Sequence, residues 1–189
     1  PQTACILSFR QLKYFQTLAS KHSDMAESNV DKLVHQTFFS EEQPGRVIIE
    51  VGAARPDFLS ISAHFRALGW TVLAIEPNPA FCELHRQSGH EVLQYACGDH
   101  DEDEVDFTIV ESLNSQYGGE KVTFESFSSL GVKGDYLKLA KTCAVIEKKV
   151  KVKLRKLDTI LEVYAPDLKE IDILAIDVEG WELQVMQGL

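Results

Sequence analysis

The stretch VIIEVGAARPDF, residues 47–58, decides how the rest of this sequence is interpreted. It begins as a short apolar run, which is typical of a strand covered on both faces of a sheet, and it turns at the single glycine Gly52. Pro56 and Asp57 suit the first turn of a helix. The apolar residues that follow recur on one helical face: Phe58, Ile61, Phe65 and Leu68. The stretch therefore predicts a strand, a turn and a helix.

The same pattern repeats directly afterwards. TVLAIEP, residues 71–77, predicts a second strand, and Asn78 and Pro79 are typical of the cap and first turn of a helix that ends at Gly89. EVLQYACGD, residues 91–99, predicts a third strand. Alternating strands and helices imply parallel strands joined by crossovers, so we expect an α/β fold of the Rossmann-like kind, with helices on both faces of a parallel sheet.

The flanking segments complete the predicted domain organisation. Residues 1–44 are interpreted as a helical cover of two helices, with apolar positions at Leu7, Leu12, Phe15, Leu18, Val30, Leu33, Val34 and Phe38. Residues 45–189 are interpreted as the main domain. Within it, DEVDFTIV and KKVKVKLRKL alternate with period two around a polar stretch at 112–135, which predicts a β-hairpin inserted at about 101–157. IDILAID, residues 171–177, predicts a further buried strand, and a helix is expected from Trp181.

Charge and composition restrict the classes of partner. The formal net charge of -10 disfavours nucleic acid and suits a small or neutral ligand. The four cysteines form no C-x-x-C pair, and the six histidines show no metal-ligand spacing, so no metal site is predicted. No apolar run reaches the roughly 18 residues of a membrane span, and no signal peptide is visible. These features predict a cytoplasmic protein that does not use a membrane as a partner.

The carboxyl ends of the predicted strands carry the candidate ligand-binding residues, because open α/β sheets bind ligands there. These residues are Glu50, Gly52, Ala53, Glu76, Gly98, Asp99, Asp177 and Glu179. Glu76 lies 24 residues after Gly52, about the distance at which an acidic side chain binds a ribose diol. A pyrophosphate would require further loop glycines, whereas S-adenosylmethionine carries no phosphate and is cationic. This pattern favours S-adenosylmethionine as the cofactor.

Structural alternatives exist for the same acidic residues. Glu50 and Glu76 could cap nearby helices, and Asp177 and Glu179 could stabilise the helix from Trp181 as N-terminal charges. The basic strand face of Lys149, Lys151, Lys153 and Arg155 could recognise an acidic acceptor or could be a solvated edge. We favour the solvated edge, and we favour cofactor binding for the two glutamates and a functional role for Asp177; for Glu179 the two roles stay balanced.

Several motifs together resemble the FkbM family of S-adenosylmethionine-dependent methyltransferases. They are VIIEVGAARPDF, LAIEPNP, ACGD, KLDTIL and, the most specific, IDILAIDVEGWELQVMQG. The resemblance covers about residues 45–189 and implies a class I methyltransferase fold. It also implies that Glu50 and Gly52 lie near the methionyl group, Glu76 and Asn78 at the ribose, Gly98 and Asp99 near the adenine, and Asp177 at the tip of the fourth strand.

The predicted chemistry is methyl transfer to a hydroxyl group of a small molecule or sugar, with an amine as the second choice. Such a transfer needs alignment of the reacting atoms, and a hydroxyl acceptor also needs a base, for which Asp177 and Glu179 are the candidates. Two alternatives stay open: a catalytically silent domain of the same fold that binds a cofactor or partner, and a nucleotide-dependent dehydrogenase.

The end of the sequence carries a separate expectation. The family sheet continues for several strands after the helix at Trp181, so the fold is expected to be truncated at the C-terminus of this chain. The strand IDILAID would then have an unpaired apolar edge. We expect that the natural chain continues past Leu189 with at least one more strand, or that a second copy covers the edge as a homo-oligomer.

Overall fold

The computed structural model describes residues 5–7, 26–41, 43–56, 58–112, 116–117, 120–121, 128–130 and 145–189. The chain divides into two compact units. The first comprises residues 1–94 and 161–177, and the second comprises residues 95–160 and 178–189. Each unit is described separately below. The predicted domain boundary after residue 44 stays a prediction.

The first unit is built on a parallel sheet. Its strands are β1 (Cys5–Leu7), β2 (Val47–Val51), β3 (Thr71–Ile75) and β9 (Ile173–Ile176). The strands between β3 and β9 in chain order belong to the second unit. The strand order is β1-β9-β2-β3, and every neighbouring pair is parallel. A parallel bridge between Ile75 and Leu93 continues the sheet beyond β3. The mixed α/β architecture with a parallel sheet confirms the predicted fold class at this level.

Three helices among the described residues of the first unit follow the predicted order. They are α1 (Val30–Phe38), preceded by a 3₁₀ turn at Glu27–Asn29, α2 (Ile61–Ala67) and α3 (Pro79–Gln87). The main apolar cluster of this unit joins α1, α2 and the sheet through Val30, Val34, Ile48, Phe65 and Ile173. Burial of these side chains from both helices onto the sheet is the main favourable contribution to this layer.

The predicted helical cover is only partly correct. The second predicted helix is present as α1, although Leu33 and Phe38 are exposed rather than buried. Cys5–Leu7 form a strand where a helix was predicted, and Leu12, Phe15 and Leu18 lie outside the described residues. Pairing with β9 explains this difference, because a sheet edge supplies backbone hydrogen bonds that local helical periodicity cannot reveal.

The edge of β9 that was expected to be unpaired is therefore occupied. Cys5, Ile6 and Leu7 lie in register with Ile173, Leu174 and Ala175. A segment far away in sequence supplies the neighbour that was expected from a C-terminal continuation or a second copy.

Two further boundaries differ from the prediction. The helix after β2 begins at Ile61 and not at Pro56, and Leu68 lies beyond its end and is exposed. Asp57 lies outside the described residues. The predicted third strand is reduced to the bridge at Leu93 and the two-residue strand β4 (Ala96–Cys97), which belongs to the second unit.

The second unit contains a mixed sheet of order β4-β8-β5, with β5 (Glu102–Ser112) and β8 (Val145–Arg155) paired antiparallel. Its apolar cluster is formed by Ala96, Phe107, Ile109, Val152 and Leu154. A small two-stranded sheet joins β6 (Gln116–Tyr117) to β7 (Glu120–Lys121). Two further helices among the described residues are α4 (Leu157–Tyr164) and α5 (Glu182–Gln187).

The two alternating segments thus pair as antiparallel strands, as the period-two pattern predicts. Thr108 also bridges to Ser129, which lies within the polar stretch at 112–135. Most of that stretch, and all of residues 136–144, lie outside the described residues.

Candidate functional site

The candidate site of the first unit lies at the carboxyl ends of three neighbouring parallel strands. β2 ends at Val51 beside Gly52, β3 ends at Ile75 beside Glu76, and β9 ends at Ile176 beside Asp177. Because β9 and β3 flank β2 in parallel register, these three ends meet at one edge of the sheet. The structure thus brings together Glu50, Gly52, Ala53, Glu76, Asn78 and Asp177 in one unit.

The loop after β2 directs its amides toward the end of β3. Gly52 has a φ of 83°, and its N–H donates to the carbonyl oxygen of Ile75 at 2.9 Å. The N–H of Ala53 donates to the same oxygen at 3.1 Å, and the N–H of Ala54 donates to Oε2 of Glu76 at 2.8 Å. Three successive amides are therefore satisfied inside the protein. A loop of this kind does not present those amides to a pyrophosphate.

Glu76 connects that loop to the next helix. Its Oε1 accepts from the N–H of Asn78 at 2.7 Å, while Oε2 accepts from Ala54. The side chain is only 4% exposed. Burial raises the pKa of Glu76 to about 7, against the lowering effect of the two backbone hydrogen bonds, and the charge of Glu50 raises it further. Glu76 is thus a buried carboxyl group that titrates near neutral pH.

Glu50 caps α2 from the neighbouring strand. Its Oε1 accepts from the N–H groups of Ile61 at 2.8 Å and Ser62 at 3.3 Å, and its Oε2 accepts from the Ser62 hydroxyl. Ser60 occupies the N-cap position but makes no side-chain cap hydrogen bond. Burial raises the pKa of Glu50, and these hydrogen bonds oppose the shift. The capping alternative is therefore realised for Glu50, whose oxygens satisfy the first turn of α2.

Asn78 caps α3 as its sequence context predicts. Its Oδ1 accepts from the N–H of Ala80 at 3.0 Å, and Pro79 occupies the first turn. Asn78 is 2% exposed, so both its capping side chain and its backbone hydrogen bond to Glu76 are buried.

Two buried residues that the sequence did not single out for the site contact the backbone of Ala54 and Glu76. Nε2 of His85 lies 3.1 Å from the carbonyl oxygen of Ala54, and the Cys82 thiol donates to the carbonyl oxygen of Glu76 at 3.0 Å. Burial raises the pKa of Cys82 to about 12, so it is not a nucleophile at neutral pH. The available signal was the recurrence of Phe81, Cys82 and His85 on the buried side of α3.

Asp177 differs from the two glutamates because it is exposed. Its N–H donates to the carbonyl oxygen of Val51 at 3.0 Å, which holds it beside the start of the Gly52 loop. An exposed carboxylate at this edge can reach a ligand that lies over the strand ends. Asp177 also lines an apolar pocket against α1 and α2.

Gly98, Asp99 and Glu179 belong to the second unit. The N–H of Gly98 donates to the carbonyl oxygen of Arg155 at 3.1 Å, and Asp99 accepts from Nδ1 of His100 at 2.7 Å, a bond that lowers the pKa of this exposed carboxyl. Glu179 has a φ of 54° and precedes Gly180, whose φ is 97°. Glu179 and Gly180 form the turn before α5. The roles predicted for Gly98, Asp99 and Glu179 in the site stay predictions.

The basic face of β8 is matched by acidic residues of β5. Lys151 lies 2.8 Å from Asp106 and 3.6 Å from Glu104, Lys149 lies 3.6 Å from Asp106, and Arg155 pairs with Asp103. All of these groups are largely exposed except Arg155. The pairing supports a solvated, charge-matched face of the β5–β8 pair more than a site for an acidic acceptor, although β8 is the middle strand of its sheet and not an edge.

Metal ions and membranes receive no support from the described part of the chain. Within it, no group of three or more His, Cys, Asp or Glu side chains could hold a metal ion. None of its helices is long and apolar enough to cross a membrane. Cys82 and Cys97 are buried free thiols, as expected for apolar fillers.

Comparison with known proteins adds one finding. The family model of the methyltransferase FkbM domain matches residues 50–189, which is most of the chain and includes every candidate site residue. Neither the curated proteins nor the solved structures contain a match to the chain.

Proposed function

Because the chain belongs to the FkbM methyltransferase family, we propose that it binds S-adenosylmethionine at the strand ends around Gly52 and Glu76. The proposed reaction is methyl transfer to a hydroxyl group of a small molecule or sugar, with an amine as the second choice. We further propose that the fold is of class I, with about residues 101–157 as an insertion. When bound, the cofactor supplies an electrophilic methyl group on a sulfonium.

The arrangement of the loop amides is the observation that carries this proposal. The N–H groups of Gly52, Ala53 and Ala54 all donate to the end of β3, so they do not offer a cradle to phosphate oxygens. The buried carboxyl groups of Glu50 and Glu76 at the same strand ends also oppose a dianionic pyrophosphate. A cationic cofactor without phosphate suits this site better than NAD.

Glu76 has the acceptor capacity that a ribose requires. Each oxygen of a carboxylate can accept two hydrogen bonds, and the amides of Ala54 and Asn78 use one on each oxygen. The remaining lone pairs can accept from a diol. The residues present therefore fit the cofactor, with Glu76 at the ribose and with Gly52 and Ala53 close to the methionyl group.

The protein's contribution to the reaction is alignment and proton acceptance. A displacement at the methyl carbon requires the acceptor oxygen to be held in line, and the rigid ends of β2 and β9 provide fixed positions for this. We assign proton acceptance to Asp177, which is exposed at the end of β9, and keep Glu179 as the second candidate. If Asp177 takes the proton, Asp177→Asn lowers kcat by a larger factor than it weakens binding of the demethylated cofactor.

Calorimetry with S-adenosylhomocysteine and NAD tests the proposal. We expect micromolar binding of S-adenosylhomocysteine and none of NAD. Glu76→Ala should weaken binding by roughly 1.5–3 kcal/mol, the range for a hydrogen bond to a charged group. Asp172→Ala is the matched control, because Asp172 Oδ2 likewise accepts from a backbone amide, that of Val47 at 2.8 Å, but at the end of β2 opposite the site. The control should lower stability and leave binding intact.

The alternatives predict different results. Binding of NAD without S-adenosylhomocysteine would favour a dehydrogenase and defeat the proposal. Cofactor binding without methyl transfer to a panel of sugars, small alcohols and amines would favour a catalytically silent domain. Equal binding losses in Glu76→Ala and Asp172→Ala would show that Glu76 acts only through the stability of the fold.

A further inference from the structure

An apolar pocket lies in the first unit between α1, α2 and β9. Its walls are formed by Val30, Asp31, Val34, Ile61, Phe65 and residues 173–177. Asp31 and Asp177 are the two acidic residues of this otherwise apolar lining, and the carboxyl oxygens of Asp31 lie buried behind its surface. The pocket lies on the β9 side of β2, whereas Glu76 lies on the β3 side.

Asp31 is the unexpected member of this pocket. It occupies the first turn of α1 and has no solvent exposure. Neither of its carboxyl oxygens makes a hydrogen bond of ordinary geometry within the described residues, although the N–H groups of Lys32 and of Asp31 itself lie close enough to oppose the rise of its pKa. Buried carboxyl groups are normally hydrogen-bonded or paired with a cation, so a group of this kind at a pocket wall indicates an absent donor.

The neighbouring titratable groups do not supply that donor. Burial raises the pKa of Asp31, and the charges of His64 and Lys32 only partly oppose this rise. Nζ of Lys32 donates instead to Oδ1 of Asn29 at 3.0 Å. Burial lowers the pKa of His64, which favours its neutral form, and its Nε2 lies 3.2 Å from Nδ1 of His35. The negative charge of an ionised Asp31 is therefore not matched by a hydrogen-bonded cation within the described residues.

We propose that this pocket binds a primary ammonium group, with Asp31 as its counter-ion. An ammonium group carries three donors and one positive charge, which match two unpaired acceptor oxygens and one negative charge. The apolar walls suit the methylene groups next to such an ammonium. Asp177, at the pocket's exposed rim, adds a second negative charge.

Two ligands could bring the ammonium group, and the geometry allows both. One is the amino-acid end of the cofactor: a ligand with its ribose at the end of β3 extends across β2 toward β9. The other is an amine acceptor. The cofactor source rests on the proposed function, whereas the pocket's preference for an ammonium group does not.

The first experiment compares wild type and Asp31→Asn by calorimetry with two probes. S-adenosylhomocysteine carries the ammonium group, and 5′-methylthioadenosine keeps the adenine and ribose but lacks the amino-acid part. If the cofactor supplies the cation, Asp31→Asn weakens S-adenosylhomocysteine at least tenfold and changes 5′-methylthioadenosine less than twofold. Val34→Phe, which fills the pocket and keeps Asp31, should produce the same selective loss. Asp172→Asn, at the far end of β2, should produce none.

The second experiment titrates n-butylammonium and n-butanol into protein saturated with S-adenosylhomocysteine. If an acceptor supplies the cation, wild type binds n-butylammonium and not n-butanol, Asp31→Asn loses this binding, and S-adenosylhomocysteine affinity is unchanged. A selective loss of binding by Asp31→Asn in either experiment supports the assignment of the pocket to an ammonium group.

Unchanged binding of every probe in Asp31→Asn overturns the proposal, and so does wild-type protein that shows no ammonium-dependent binding. Thermal unfolding without ligand gives an independent readout. Asp31→Asn should raise Tm, because it removes a buried charge that no hydrogen-bonded cation matches; a lower Tm would contradict this premise and would also overturn the proposal. If wild type binds neither S-adenosylhomocysteine nor 5′-methylthioadenosine, the proposed function fails. The n-butylammonium titration without cofactor then still tests the pocket.

Discussion

At the scale of single residues, Glu76 has an observed structural role and a proposed functional one. It joins the loop after β2 to the start of α3 through two backbone hydrogen bonds, and ribose binding is the role that we propose for it. The two roles were alternatives in the sequence, but one carboxylate has enough lone pairs for both. Burial at this position raises the pKa of Glu76 to about 7.

This raised pKa predicts a pH dependence of stability. A folded-state pKa of about 7 exceeds the unfolded value of 4.5, so the folded protein binds an extra proton between these pH values. The contribution of Glu76 to the free energy of unfolding is then largest below pH 4.5 and is lost as the pH rises to about 7. The loss is on the order of 3 kcal/mol, from about 1.4 kcal/mol per pH unit.

Denaturant unfolding of wild type and Glu76→Gln between pH 4.5 and 8 checks this prediction. Glutamine has a single carbonyl oxygen, so the variant leaves one of the two backbone N–H groups without an acceptor, a penalty that does not depend on pH. The difference between the two free energies of unfolding should therefore shrink as the pH rises. A constant difference across the range would contradict the assignment of this titration to Glu76.

At the scale of elements, α2 shows how a strand can terminate a helix. Its N-cap residue, Ser60, does not cap, and Glu50 of β2 satisfies the N–H groups of Ile61 and Ser62 instead. A helix N-terminus attracts negative charge, and the sheet places this carboxylate directly against it. The start of α2 at Ile61 rather than at Pro56 follows from this contact.

Replacing Glu50 should therefore destabilise α2 more than replacing its N-cap residue. Glu50→Gln reduces the acceptor capacity and places an amide NH₂ near the donors of Ile61 and Ser62, so we expect a loss of about 1–3 kcal/mol. Ser60→Ala, the control, removes a side chain with no cap hydrogen bond and should cost less than half as much. Urea unfolding at pH 7 measures both, and a larger loss for Ser60→Ala would show that Glu50 is not the effective cap.

At the scale of the whole molecule, the parallel sheet draws on both ends of the sequence. β1 lies beside β9, although more than 160 residues separate them along the chain. This pairing covers an edge of four buried residues that would otherwise leave backbone groups unsatisfied.

Removal of β1 should expose that edge. Deletion of residues 1–7 is expected to lower the free energy of unfolding by at least about 2 kcal/mol, since several backbone groups of a buried strand lose their partners. The released edge should also promote self-association, measurable by sedimentation velocity over a range of concentrations. Deletion of residues 1–4 is the control and keeps β1 intact. Equal stability and equal mass of the two truncated proteins would show that β1 does not protect the edge.

The sequence by itself determined the features that depend on local pattern. The apolar runs at 47–51, 71–75 and 173–176 are strands, Asn78 caps α3, and the period-two segments pair as antiparallel strands. These features could be predicted because apolar periodicity and capping residues act within a few positions along the chain. The motifs at the strand ends also indicated the family correctly.

The tertiary structure alone decided what depends on distant partners. The strand at Cys5–Leu7 exists because β9 offers an edge, Glu50 caps a helix 11 residues away, and Asp31 faces a pocket formed by α1, α2 and β9. Local propensity cannot encode these contacts, since the hydrogen-bonding partner or cavity wall comes from another part of the chain. A carboxylate in a helix is normally a solvated charge, and only the packing around Asp31 shows that it is buried without a hydrogen-bonded cation among the described residues.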